Sequence, residues 1–362
     1  MRNRTPGAGP VYCGRVTLAG GNPEERGFDA GGPTLADVGE TELLRSLTAI
    51  AQAAAPGLVL GTGDDAAVWK PEAGREVAIS QDALVEGIDF RRPWITPRRL
   101  GARALAIALS DLAGMGARPA WCAATLCAPP ATAAEDVLEI QRGLCAAAAA
   151  LGCAVAGGDV SAIEGPIVID VSVGGTLEPG RALRRDRGAP DDLVVVTGTL
   201  GRAAAGLRLL LDGGADLSEQ ERAWVEAQRS PAARIEEGLR LVSAGVRCGG
   251  DISDGLLVEL ERITAMSGCG AEIWLDQVPV EPALVADFGG AWPDLAIGGG
   301  EDFELVVTLP APALDPLLEG WPAHLAPLTV AGRLRTGDGV AVLDREGGAV
   351  VPTPRTTSRH FS

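Results

Sequence analysis

The chain has little of what most catalytic sites are built from. It carries two histidines, His324 and His360, both late in the sequence, and a single lysine, Lys70. Two such histidines leave no room for a Ser-His triad or a histidine-rich zinc site. The seven cysteines (Cys13, Cys122, Cys127, Cys145, Cys153, Cys248 and Cys269) form no CxxC pair, and several sit inside apolar runs where Cys acts as a small hydrophobe. Thiolate metal sites are thereby excluded, and the chain reads as reduced and cytoplasmic. No stretch of about 18 uncharged apolar residues occurs, so no membrane span is expected. With a net charge of −17 and one lysine there is no basic stripe for a nucleic-acid backbone. GxxxxGK[ST] is missing, which removes the P-loop.

What remains is length, apolar content and acid. At 362 residues and 46% hydrophobic, the chain can fill the cores of two domains. Residues 1–35, rich in Gly, Pro and Arg, have no continuous apolar core and read as a loose extension rather than a signal peptide. Order is expected from about Asp37.

The central stretch is LVLGTGDDAAV, Leu58 to Val68: an apolar run, a Gly-Thr-Gly turn, then Asp64 and Asp65. The design recurs in AISQDAL at Asp82, AVAGGDV at Asp159, CGGDISDG at Asp251 and Asp254, and AIGGGEDFEL at Glu301 and Asp302. Five apolar runs that each deliver acid at a small-residue turn predict one convergent acidic site. Gly61, Gly63 and Ala66 match the loose GxGxxA dinucleotide pattern, but a pyrophosphate there would meet Asp64 and Asp65 as like charge.

Periodicity predicts a helix over 40–55, a strand over 76–80, and a helix from Pro97 to Met115 stopped by Gly116. The helical stripe Leu100, Ala104, Ile107 leads onto Asp111, and a carboxylate on an inward face needs a metal or an arginine partner. Thr132 and Glu135 suggest a capping box opening the next helix. Strands are expected over 118–127, 153–156 and 167–177, with a domain boundary in the Pro, Gly and Arg-rich stretch 178–192. The second half reads as a strand over 193–197, helices within 201–245, a strand to Cys248, a helix over 256–266, and strands over 271–275 and 303–309. The class is α+β in two mixed domains, 36–178 and 179–352, with a tail over 353–362; a regular βαβ winding fits the same periodicity.

Oxygen-rich clusters without soft ligands suit Mg²⁺, which takes carboxylates together with phosphate oxygens and water. Each Asp that follows a Gly is also an ordinary turn former. For Asp251, Ser253 and Asp254 a helix N-cap competes with a ligand role, and Arg181, Arg184 and Arg185 are solvated unless a phosphate lies nearby.

The ordered set GTGDDAAV, ISQDALVEGIDF, ALSDLAGMGARP, AGGDVS, GRALRRDRGA, VTGTLG, DISDGL and GGGEDFEL resembles the thiamine-monophosphate kinases. Their superfamily includes aminoimidazole ribonucleotide synthetase, selenophosphate synthetase and a hydrogenase maturation factor. The similarity covers residues 36–350. It implies a homodimer joined through the N-terminal domains, MgATP in a groove between the halves, and transfer of the γ-phosphate to thiamine monophosphate. By position it implies Asp64, Ser80, Gln81, Asp82, Asp111, Asp159, Asp251 and Asp254 as magnesium ligands, and Gly158, Asp159, Arg185 and Ser253 as ATP contacts. Asp111 and Arg185 would serve catalysis, and Glu301, Asp89 and Arg355 would stand at substrate-binding positions. Asp89 replaces the family's usual His, Arg355 its usual aromatic residue, and Gln81 the common Thr. The alternatives are another ATP-dependent enzyme of the superfamily and a nucleotide-binding regulator without catalysis.

Overall fold

A computed structural model describes residues 26–29, 31–51, 55–214 and 216–350. The chain starts packing earlier than its composition suggests. Arg26 Nη1 pairs with the fully buried Asp136 at 2.8 Å, and Phe28 lies against the core. The expected loose stretch therefore gives way from residue 26 on.

Helix α1 (Leu35–Val38) and helix α2 (Glu40–Ile50) precede strands β1 (Leu58–Leu60) and β2 (Val68–Trp69). These two strands pair with each other, so the Gly-Thr-Gly-Asp-Asp segment is the loop of a hairpin and not the end of a sheet strand. The first sheet has the order β3-β6-β4-β5, from β3 (Glu76–Val85), β4 (Arg118–Ala128), β5 (Ala154–Ala162) and β6 (Val168–Leu177). The β4-β5 pair is parallel and the others antiparallel.

Helix α3 (Pro97–Met115) runs as expected from an N-cap at Thr96 to Gly116 in the left-handed conformation, and buries Leu100, Ala104 and Ala108. Helix α4 (Ala134–Ala150) crosses it so closely that a Cβ on Gly101 would lie 1.8 Å from the Ile140 carbonyl oxygen. The capping box expected from Thr132 and Glu135 does not form. The cap position is Ala133 without a side-chain bond, and Glu135 pairs with Arg142 instead.

The second sheet has the order β13-β12-β9-β11-β7-β10-β8. Its strands are β7 (Leu193–Thr197), β8 (Cys248–Ile252), β9 (Gly270–Trp274), β10 (Glu304–Leu309), β11 (Leu328–Arg335), β12 (Val340–Leu343) and β13 (Ala349–Val350). Helices α5 (Arg202–Leu211), α6 (Glu219–Arg229), α7 (Ile235–Ser243) and α8 (Leu256–Ser267) join them with three short ones, α9 (Pro282–Phe288), α10 (Trp292–Ile297) and α11 (Leu314–Glu319). Mixed sheets with helices packed on them make the class α+β. One apolar core unites α3 with Leu241 of α7 and Val307 of β10, while a second fills the space between α8 and the second sheet.

Three acids expected at strand ends lie inside strands. Asp82 is within β3, Asp159 within β5 and Asp251 within β8, because alternation of apolar and small residues carries each ladder past the acid. The cysteines among the described residues are free. No helix among the described residues is long and apolar enough to cross a membrane.

Candidate active site

Helix α3 places Ser110 and Asp111 at the seam between the two sheets. Ser110 Oγ donates to Asp251 Oδ2 on β8 at 2.8 Å, and Ser80 Oγ on β3 donates to Asp111 Oδ2. Ser80, Asp111 and Asp251 line a cavity of about 410 Å³ with Gly114, Arg184, Arg185 and Gly250. Burial pushes the Asp82 carboxyl up to about 7, helped by repulsion from Asp111, Asp251, Asp170 and Asp254. Burial likewise pushes Asp251 up to about 6, with Asp111 adding to it and Ser110 opposing it. Like charges gathered this way call for a cation.

Arg185 sits at the rim of that cavity. Its Nε and Nη2 donate to the buried Glu259 at 2.5 and 3.1 Å, and Glu259 also takes Arg262 Nη1 at 3.3 Å. Arg262 Nη2 donates to Asp254 Oδ2 at 2.5 Å. The N-cap of α8 is Gly255 with no side-chain bond, so neither Asp254 nor Ser253 caps that helix.

The expected single site divides in two. Asp64, Asp159 and Gly158 line a larger cavity of about 1020 Å³, bounded by α2, the hairpin loop, β4, β5 and α4. Strand β6, which lies between β3 and β4, separates the two openings. Gln81 is another departure: strand alternation turns it to the face opposite Ser80 and Asp82, where Nε2 donates to Asp170 Oδ2.

Away from these cavities' linings, Glu301 is held by Arg103 and Gln228. Asp302 serves elsewhere, since its carboxylate accepts the Gly201 and Ala203 amides at the start of α5. Asp89 closes its own turn by accepting the Val85 amide at 2.7 Å. Arg355 lies outside the described residues. Sequence reasoning missed Asp170, Glu259, Arg262, Arg103 and Gln228. A faint signal existed for Asp170, the charged member of the alternating run VIDVSV.

Among the described residues no three His, Cys, Asp or Glu form a group that could by itself hold a metal ion. The donor chemistry nevertheless fits Mg²⁺, which takes one or two carboxylates and completes its shell with water and phosphate oxygen. Asp111 and Asp251 offer hard oxygen donors in the cavity beside Arg185, and Asp82 lies on the same face of β3 as Ser80 and close enough to feel both charges.

Two family models match the chain: AIR synthase related protein, N-terminal domain, over residues 63–177, and its C-terminal domain over residues 189–344. The thiamine-monophosphate kinase of Salmonella typhimurium is 39% identical over 69% of this chain and 76% of its own length. The chain belongs to the thiamine-monophosphate kinase family. The crystal structure of the family member from Stenotrophomonas maltophilia superposes with a TM-score of 0.73 at 35% identity, covering 85% of this chain and 95% of that one. AaThiL, complexed with AMPPCP and TMP, gives 0.69 at 28% identity over 89% of this chain and 98% of its own.

Proposed function

We propose that the chain phosphorylates thiamine monophosphate with ATP to give thiamine diphosphate. The observation that carries this reading is the cluster of carboxylates at the seam of the two sheets, with Asp82 pushed up to about 7, beside an arginine aimed by a buried acid. A triphosphate with divalent cations is what such a mixture of charge accommodates.

Asp111 and Asp251, which line the smaller cavity, would hold Mg²⁺ together with Asp82, whose carboxyl feels both charges, and Asp254 would join once Arg262 lets it go. Asp64 and Asp159 would serve the same purpose beside the larger cavity, which Gly158 also lines and where the nucleotide would lie. When bound, the metal neutralises triphosphate charge and orients the terminal phosphoryl group. Arg185 contributes a guanidinium held in two bonds by Glu259, which spares the entropy of ordering it on substrate. The acceptor is a phosphate oxygen, already anionic near neutral pH, so no general base is needed. The transfer is direct and in line, without a phosphorylated side chain. Glu301, in the loop after α10, faces the acceptor.

Residues 36–178 form the nucleotide and dimer half and 179–352 the other. The protein works in the cytoplasm as a homodimer joined across the open face of the first sheet, where Val77 and Ile79 are exposed. Incubation with MgATP and thiamine monophosphate, with the product separated by chromatography, tests the reading. Thiamine diphosphate is expected. No product alongside normal ATP binding would replace this reading with a regulator or a different acceptor.

A further inference from the structure

We infer that Arg103 and Gln228 are positioning residues that present the Glu301 carboxylate to the acceptor, an inference that rests on the reading of Glu301 above. Arg103 lies on the buried face of α3 with 2% of its surface exposed. A guanidinium there must spend its donors on defined partners, because a buried unpaired charge is strongly unfavourable. Nη1 donates to the Gln228 carbonyl, and Nη2 donates to Glu301 Oε1 at 2.6 Å. Gln228, itself buried, donates its side-chain Nε2 to Glu301 Oε2 at 3.2 Å.

Each carboxylate oxygen can accept two hydrogen bonds. Arg103 and Gln228 therefore fill one position on each oxygen and leave one free, and the Glu301 side chain keeps 31% of its surface exposed. Two outward acceptor positions on a fixed, negatively charged group suit an acceptor that presents N–H donors or a cationic ring.

The backbone is fixed as well. Glu301 has φ +69 and Phe303 φ +49, both in the left-handed region that a residue with a side chain avoids. The Glu301 amide donates to the Ser253 carbonyl at 2.7 Å and the Phe303 amide to that of Ile252 at 3.0 Å. Such conformations persist where the surroundings over-determine them, and they gather at ligand clamps. Pairing alone would require neither the strained loop nor the second donor from α6.

The test separates acceptor binding from nucleotide binding. Gln228→Leu and Arg103→Lys are compared with Glu301→Gln for the KM of thiamine monophosphate, the KM of MgATP, and calorimetric binding of thiamine monophosphate alone. Gln228→Leu is expected to weaken thiamine monophosphate about fivefold to twentyfold, since it removes a hydrogen bond to a charged group, with MgATP changed less than about twofold. Arg103→Lys, which replaces a fork by a point charge, weakens it further. Equal rises in both KM values, or lowered melting temperature with both KM values intact, would overturn the inference in favour of a structural tie. If Glu301→Gln weakens the acceptor while Gln228→Leu and Arg103→Lys do not, positioning fails and the reading of Glu301 stands. If Glu301→Gln binds thiamine monophosphate normally, both fail. Should Arg103→Lys not fold, Gln228→Leu decides alone.

Discussion

A Cβ on Gly250 would lie 1.9 Å from Oε1 of Glu259, so the strand residue and the buried carboxylate can be neighbours only while position 250 is glycine. That carboxylate aims Arg185 into the cavity that also holds Asp111 and Asp251. Gly250→Ala should push Glu259 aside and release the arginine. The expected result is an MgATP KM raised about tenfold and a stability loss of about 1–3 kcal/mol from overpacking. Steady-state kinetics and a denaturation curve check both, and a variant with normal MgATP kinetics would detach Glu259 from the nucleotide.

Asp111→Asn tests the metal directly. Asparagine keeps the shape and can still accept from Ser80, so the melting temperature should stay near that of the unaltered protein. Loss of a carboxylate among metal-binding acids should lower kcat about a hundredfold or more and shrink the melting shift caused by Mg²⁺. Retained full activity would take Asp111 out of the site.

The long elements were legible in the sequence because their signals were local. Helix α3 showed its apolar stripe, its initial proline and its terminal glycine, and DISDGL with GGGEDFEL stood out as acid at small-residue turns. The division of the acids into two cavities was not legible, because it depends on β6 lying between β3 and β4, a pairing that no local pattern encodes. Gln81 turns away from its neighbours for a related reason: three consecutive residues Ser80, Gln81 and Asp82 cannot share one face of a strand. Glu259 and Arg103 carry no local signal, because the partners that define them lie 74 and 198 residues away. Family resemblance named the sites without showing what holds them in place.

The proposed dimer face can be broken without touching the core. Ile79 is 69% exposed and Val77 44% on the same face of β3, so in a lone chain both side chains meet water. Ile79→Asp should leave the fold intact and place a charge where two copies meet, giving a monomer by sedimentation where the unaltered protein sediments as a dimer. A monomeric unaltered protein, or an Ile79→Asp dimer, would remove this face from the assembly.

Asp302 predicts how stability depends on pH. Its carboxylate accepts the Gly201 amide at 2.6 Å and the Ala203 amide at 3.1 Å. Burial nevertheless outweighs these bonds and pushes the carboxyl up from 3.8 to about 7. Between those values the folded chain holds a proton that the unfolded chain has released. The contribution is therefore fully present below about pH 4 and is lost as pH rises through about 7, at up to about 1.4 kcal/mol per pH unit. Asp302→Asn carries no proton to lose, although it leaves one of the two α5 amides without its partner. Urea midpoints measured from pH 5 to pH 8 should fall more steeply for the unaltered protein than for Asp302→Asn, so that the two curves converge toward pH 8. Parallel curves would show that the Asp302 proton takes no part in folding.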